Sequence, residues 1–374
     1  MKGMKIVKNM KLKSVKDMKM KIRKLMTIVN REERVMSGPK PLVAAALLAL
    51  ATTTLAAADV AIKLGTQAPT NSMWHKALLE MGSAWAKATE KRVTLQVYPD
   101  GRAGDEATTI RKMRPAVDSL QAGLLTIGGL AEIDDAFNVL GMPFFVETDD
   151  EELAVQQKLE PRLEQVLQAK GFHLVSWGTG GWVQLFSKKP LRSLADVKAA
   201  KLFASKTDDR MVQWYTRNGF NPVPLLIADI APQLKLPTGM IDTAPNTAYL
   251  ALTTQIYGDA KYMLDLHIAP LVGAMIVSNA TWNKISPADQ KAVTDAARAM
   301  ETRIRTEAPK QDADSISAMT AKGLQVIKLD QKANAEFRAA ATDLIKTMRG
   351  TMVPADVFDL ALAERDAYRK SKGR

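Results

Sequence analysis

From Asp59 onward the chain alternates short apolar runs of period two with longer segments of period near 3.6, and no other feature restricts its fold as much. Strands separated by helices do not build a sandwich or a plain helical bundle. They build a mostly parallel sheet with helices on its faces. Val60–Gly65 and Arg92–Tyr98 read as strands, the second closed by the turn signal Pro99-Asp100-Gly101. Helical spacing predicts Ser72–Ala88 and Asp105–Leu120, followed by a short strand over Leu124–Ile127. Glu151–Lys170 is an acidic-faced helix stopped at Gly171. Phe172–Trp177 and Trp182–Phe186 then read as two strands, broken by Gly178-Thr179-Gly180-Gly181.

A second unit of the same kind begins after Pro190. It comprises helix Ser193–Ala199, strand Ala200–Ala204, helix Asp208–Asn218, strand Pro222–Pro224, the segment Met240–Asp242 and a helix from about Asn246. Ile268–Val277 reads as a buried strand returning to the first unit. Ser286-Pro287-Ala288-Asp289 combines a capping serine, a first-turn proline and an acid, a strong helix start. The helical pattern then persists to about Lys322, roughly 54 Å at 1.5 Å per residue, with a kink expected at Pro309. A helix of that length outspans one domain. The expected architecture is two α/β lobes, with lobe I from 59–182 plus 270–312 and lobe II from 183–269 plus 313–374.

Residues 1–58 are a different kind of sequence. They carry thirteen Lys and Arg against three acids, which is +10 of the chain's net +12, so the remainder is close to neutral. The basic excess therefore belongs to a tail, and nucleic acid is not an expected partner. The tail has no aromatic residue for stacking on bases. Its apolar run Leu42–Ala51 is about ten residues, short of the roughly 20 a helix needs to cross a bilayer. An apolar core followed by small residues before Asp59 is the pattern of a cleavable secretory signal, with cleavage near Ala58. Met36 makes a plausible start, in which case residues 1–35 are not translated.

The chemistry available to the exported part is limited. There is no cysteine, which excludes thiol nucleophiles, disulfides and cysteine-ligated zinc, and His75, His173 and His267 lie far apart. Serine-hydrolase, zinc-protease and phosphate-loop motifs are absent. The acid pairs Asp134-Asp135 and Asp149-Asp150 read as helix caps and solvated charge. No catalytic residue, metal site or cofactor is predicted. Aromatic residues instead gather at strand ends and crossings, where open α/β sheets hold ligands: Trp74, Trp177, Trp182, Phe203 and Tyr249, with His75 beside the first. Ordinary core packing is the competing reading for each of them.

In that order of elements the chain resembles the DctP-type solute-binding proteins of tripartite ATP-independent periplasmic (TRAP) transporters. Thr66–His75 matches the family's first strand-to-helix segment, and Val97–Asp105 (VYPDGRAGD) its "YPxGxxGxD" turn. Leu120–Gly123, Leu140–Phe145, Lys189–Val197 with Lys201–Ala204, Phe220–Leu225, Leu236–Asp242 and Trp282–Asp289 continue the series over about residues 60–350. The resemblance implies a two-lobed periplasmic-binding-protein-like fold and a non-enzymatic periplasmic receptor. Such a receptor captures a small molecule between its lobes and delivers it to the two membrane subunits of a transporter. It also implies a departure: the carboxylate-binding arginine falls on Phe203 and a supporting arginine on Val183, while the family's asparagine survives as Asn246. The expected ligand-binding set is Gln67, Trp74, His75, Trp177, Thr179, Trp182, Val183, Phe203, Asn246 and Tyr249, with Gln67, Thr179 and Asn246 orienting the ligand. The ligand expected is apolar or planar rather than a simple organic acid. A stand-alone periplasmic carrier or sensor of hydrophobic or aromatic molecules is the alternative.

Export leaves a direct mark. Expressed in a Gram-negative host, the chain is expected in the periplasm with its amino terminus near Asp59. N-terminal sequencing that finds Met1 or Met36 on the mature protein would contradict the signal reading.

Overall fold

The computed structural model describes residues 59–373; the basic, signal-like segment before Asp59 lies outside them. Strand β1 (Val60–Thr66) leads to helix α1 (Met73–Ala88), which Ser72 caps by accepting from the His75 amide. Trp74, Ala77, Leu78, Met81 and Trp85 form its buried face. Strand β2 (Val93–Tyr98) pairs parallel with β1. Helix α2 (Glu106–Met113) is shorter than its spacing predicts, because Arg114 is extended, as the residue before Pro115 must be to avoid the ring. Strand β3 (Ala122–Thr126) pairs with the other side of β1 and runs into the short helix α3 (Ile127–Ala131) and a 3-10 turn at Asp135–Gly141. Helix α4 (Asp149–Ala169) starts on Thr148 and gives way at Gly171, where φ is +92°.

Strand β4 is a single element, Phe172–Ser187, rather than the two short strands expected. Lobe II follows as α5 (Leu194–Ala199), β5 (Lys201–Ser205), α6 (Asp209–Arg217), β6 (Asn221–Leu225), α7 (Ile230–Lys235), β7 (Thr243–Thr247), α8 (Ala248–Thr253) and β8 (Tyr262–Leu264). Strand β7 begins just after the segment Met240–Asp242. Asn246 lies within it, and the helix starts only once Thr247 caps it by accepting from the Leu250 amide. Strand β9 (Pro270–Ser278) returns to lobe I, followed by α9 (Asn279–Trp282) and the long helix α10 (Pro287–Thr320). Strand β10 (Gln325–Ile327) pairs with β8; α11 (Gln331–Met348) and α12 (Ala355–Ser371), which sequence spacing did not reveal, close the chain.

The strand order is β2-β1-β3-β9-β4-β7-β5-β6, with β8 and β10 beside it. β9 runs antiparallel to β4 from Phe172 to Trp182, and β7 and β8 take over from Val183 to Ser187, so β4 serves both lobes. Helix α10 does the same. Its Val293 and Ala297 sit in a lobe I cluster with Ile62, Trp85 and Val277, and its Met319 in a lobe II cluster with Phe186, Ala244 and Met263. It runs unbroken through Pro309. Helix α11 also joins the lobes, since Phe337 packs with Leu185 and Leu202 while Leu344 and Met348 pack with Phe137. Helix α12 lies on α4, with Val357, Phe358 and Ala361 in that same lobe I cluster. The carboxy-terminal residues placed with lobe II from the sequence therefore divide between the two cores.

The glycines expected to break β4 let its neighbours approach instead. A Cβ on Gly180 would stand 2.8 Å from the Trp74 ring, and one on Gly181 only 2.1 Å from the Asp312 carboxylate; Gly181 also has φ +81°. Gly219 has nearly the same φ, +78°, with nothing near its missing Cβ. Gly219→Ala should therefore cost only the left-handed backbone penalty of about 1–2 kcal/mol. Gly181→Ala should cost at least about 1 kcal/mol more, because the half-buried Asp312 carboxylate must also move. Urea titrations of the two variants give the comparison, and equal losses would show that Asp312 yields freely.

Candidate functional site at the crossing between the lobes

Four of the residues expected in the ligand site converge where β4 passes between the lobes. Trp74, in the first turn of α1, donates its indole N–H to the Thr179 carbonyl at 2.9 Å and meets Tyr249 edge-on, with ring centroids 5.2 Å apart. Tyr249, in the first turn of α8, accepts from the Met73 amide at 2.8 Å through its hydroxyl, tying lobe II to the start of α1. Trp182 donates its indole N–H to Asp149 at 2.9 Å and stacks on His267, centroids 5.5 Å apart.

Asp312 of α10 joins these pieces. Its carboxylate accepts from the Trp182 amide at 3.0 Å and from the Tyr249 amide at 3.2 Å. Trp182 sits where the pairing of β4 with β9 is irregular, between Thr179 and Trp182, and there the carboxylate supplies an acceptor for its amide. Burial pushes the Asp312 carboxyl above the usual aspartate range, the two backbone donors and His267 acting in the other direction. Trp177 repeats the pattern five residues earlier. Its amide donates to Glu301 of α10 at 3.0 Å and its indole to Glu160 at 2.7 Å, and Arg298 bridges both carboxylates. This tryptophan is 2 % exposed and belongs to the lobe I core.

The remaining expected residues lie apart from that joint. Phe203 is buried in the lobe II core with Phe186, Leu225 and Ile230. Val183 is half-buried and its backbone pairs with Ile268 and Ala269. The Asn246 side chain accepts from the next amide, that of Thr247, at 2.9 Å. Gln67 donates to the Gly104 carbonyl at 2.8 Å and His75 accepts from the Asn71 amide at 3.1 Å through Nδ1, so both shape the loops beyond β1. Glu106 fixes the neighbouring β3–α3 turn, accepting from the amide and hydroxyl of Thr126 at 2.6 and 2.8 Å. Its burial raises the carboxyl pKa against those donors.

Charged contacts also span the lobes. Arg210 of α6 holds Asp135 through two hydrogen bonds of 2.5 and 2.7 Å and donates to the Thr351 carbonyl at 2.9 Å. These contacts with Asp135 raise the guanidinium pKa further. Beside it Met211 and Trp214 pack against the lobe I core. Asp105, which caps α2, is held below the usual range chiefly by its hydrogen bonds from Thr108, with Lys206 and Arg111 adding to the effect. Among the described residues no group of three or more His, Asp and Glu converges as a metal site, and no helix is long and apolar enough to cross a membrane.

Sequence reasoning passed over Asp312 and Glu301, read Asp135 and Asp149 as caps and solvated charge, and gave Arg210 no contact with Asp135. A signal existed for the first two: Glu301, Ile304, Ala308, Asp312, Ser315 and Met319 recur every three or four residues on α10, a stripe that turns inward. Carboxylates on an inward stripe need partners. Of the acid pairs, Asp134 does cap the turn by accepting from the Ala136 amide, but Asp135 and Asp149 hold Arg210 and Trp182 instead of water alone.

Comparison with known proteins agrees with this architecture. A family profile for bacterial extracellular solute-binding proteins, family 7 (DctP), matches residues 64–351. A solute-binding protein of Chromohalobacter salexigens is 27% identical over 224 residues, 59% of this chain and 65% of that protein. Two solved TRAP periplasmic solute-binding proteins share the fold. The one from Haemophilus influenzae, with bound L-gulonate, has TM-score 0.74 and 21% identity over 82% of this chain and 99% of its own. The one from Desulfovibrio salexigens, with bound orotic acid, has TM-score 0.76 and 15% identity over 83% and 99%. With the profile spanning both lobes and the crossing between them, this chain belongs to family 7 of the bacterial extracellular solute-binding proteins, the DctP family.

Proposed function

We propose that the exported protein is a periplasmic receptor that takes up a small organic molecule between its lobes and passes it to the small and large membrane subunits of a TRAP transporter. The family match over both lobes carries this reading. Lobe I on this reading runs from Asp59 to Trp182 with 270–312 and α12, and lobe II from Val183 to Ala269 with the chain as far as α11. The register supports the boundary, since β4 leaves β9 at Trp182↔Pro270 and joins β7 at Val183↔Thr247. Closure bends β4, β9 and α10 about the joint at Trp74, Thr179, Trp182, Tyr249 and Asp312.

The ligand is an atypical one. L-gulonate and orotic acid, bound by the two similar structures, both carry a carboxyl group. On the family resemblance the carboxylate-binding arginine and its supporting arginine fall on Phe203 and Val183 in this chain, and Phe203 is packed in the lobe II core. Of the two basic residues that could stand in, Lys206 and Arg210, the second is already occupied by Asp135 and Thr351. A carboxylate buried without a cationic partner loses several kcal/mol, enough for about 10³-fold in affinity. The reading therefore favours a ligand with planar or apolar surface and few charges, or a cation held over aromatic rings.

Calorimetry against two panels tests it. Gulonate, orotate, sialic acid and small dicarboxylates should bind weakly, and uncharged aromatic or amine-bearing compounds should include the tight binders. Submicromolar binding of a small aliphatic carboxylate would overturn the ligand class while leaving the receptor reading intact.

A further inference from the structure

Helix α6 has no fully buried residue of its own, yet one of its faces reaches across to lobe I. Arg210 and Trp214 stand one turn apart with Met211 beside them, and all three touch lobe I: the guanidinium holds Asp135 and the Thr351 carbonyl, and the two apolar side chains lie against the core that contains Phe137 and Val353. Neither anchor belongs to lobe II. Asp135 opens the 3-10 turn after α3, and Thr351 precedes Met352 and Val353 of the same lobe I cluster. The Arg210–Asp135 pair is bidentate, the geometry that gives an arginine–carboxylate contact its strength and direction.

We propose that Arg210 is a positioning residue that clasps the two lobes together without any contribution from a ligand, through Asp135 and the Thr351 carbonyl. A receptor of small acids can draw its lobes together through an arginine on the captured carboxylate. Here the ionic attraction lies within the protein, between α6 and the Asp135 turn, which suits a cleft whose ligand brings little charge. The inference rests on the lobe closure described under the proposed function but not on the ligand class. Both side chains are half exposed, at 44% and 42%, so salt reaches the pair and screens it.

Because the chain has no cysteine, spin labels can be placed at will. Ala116→Cys in lobe I and Lys235→Cys in lobe II, both exposed, report the interlobe distance by double electron–electron resonance on protein stripped of ligand by unfolding and refolding. The unmodified pair should give a mainly short distance. Arg210→Gln and Asp135→Asn should each raise the open-to-closed ratio about fivefold or more, and the double variant should open no further than Arg210→Gln alone. Combining Arg210→Asp with Asp135→Arg should restore part of the short population, and 1 M NaCl should open the parent protein but not the single variants. An open ligand-free parent, an unchanged distribution in both single variants, or additive opening in the double variant would overturn the clasp. No bound solute enters the measurement, so its outcome is separate from that of the calorimetry.

Discussion

Two backbone amides of β4, those of Trp177 and Trp182, donate to carboxylates of α10 rather than to a neighbouring strand. Each sits beside an irregularity in the pairing with β9, between Leu174 and Ser176 and between Thr179 and Trp182. A buried amide without an acceptor costs about 1–3 kcal/mol, so a strand that bends while it changes partners needs acceptors from elsewhere. Glu301 and Asp312 provide them, three turns apart on one helix. The long helix is in this way bound to the crossing strand at two points as well as packed on it, and Asp312 also reaches lobe II through the Tyr249 amide.

The aromatic residues acquire their roles from that arrangement. Trp74 and Tyr249 each place a polar atom on a partner in the crossing or in the opposite lobe, Trp182 donates to Asp149 of α4, and the Trp74 ring and the Asp312 carboxylate take up the space that Gly180 and Gly181 leave open. They line the joint more than an open cavity. A joint of glycine backbone wrapped in large rings can rotate with little loss of apolar contact, whereas the carboxylate of Asp312 has to keep two amides satisfied throughout. The mechanical constraint on closure therefore lies at the acid, and the aromatic side chains accommodate it.

Much of the architecture was legible in the sequence because it depends on local pattern. The alternation of periods gave the α/β class, the apolar spacing from Ser72 and the capping set at Ser286 gave two helix starts, and Gly171 gave a helix end. Where local reading went astray, tertiary contacts prevailed over propensity. The four-residue run Gly178–Gly181 looks like a break in isolation, yet β9 pairs with Gly178 and Thr179 and again at Trp182, and the strand continues past the irregularity between them. The helix expected from Asn246 loses that residue to β7, because pairing with β4 extends the strand through Thr247 before the cap takes effect.

The candidate site divides along the same line. Composition and spacing alone fixed that the chain has no thiol chemistry, that its charge lies in the leading segment, and that its aromatic residues cluster at crossings; these are properties of residue type and order. Which of those residues face one another was decided only in three dimensions. Phe203 and Tyr249 looked equivalent as aromatic residues at the ends of lobe II strands, but the strand face puts the first among Phe186, Leu225 and Ile230 and the helix start puts the second against Trp74. Arg210 and Asp135 are 75 residues apart and carry no local signal of each other. A salt bridge across two lobes requires both to be folded and docked, and period and propensity are blind to that, since they describe a segment and not what it meets.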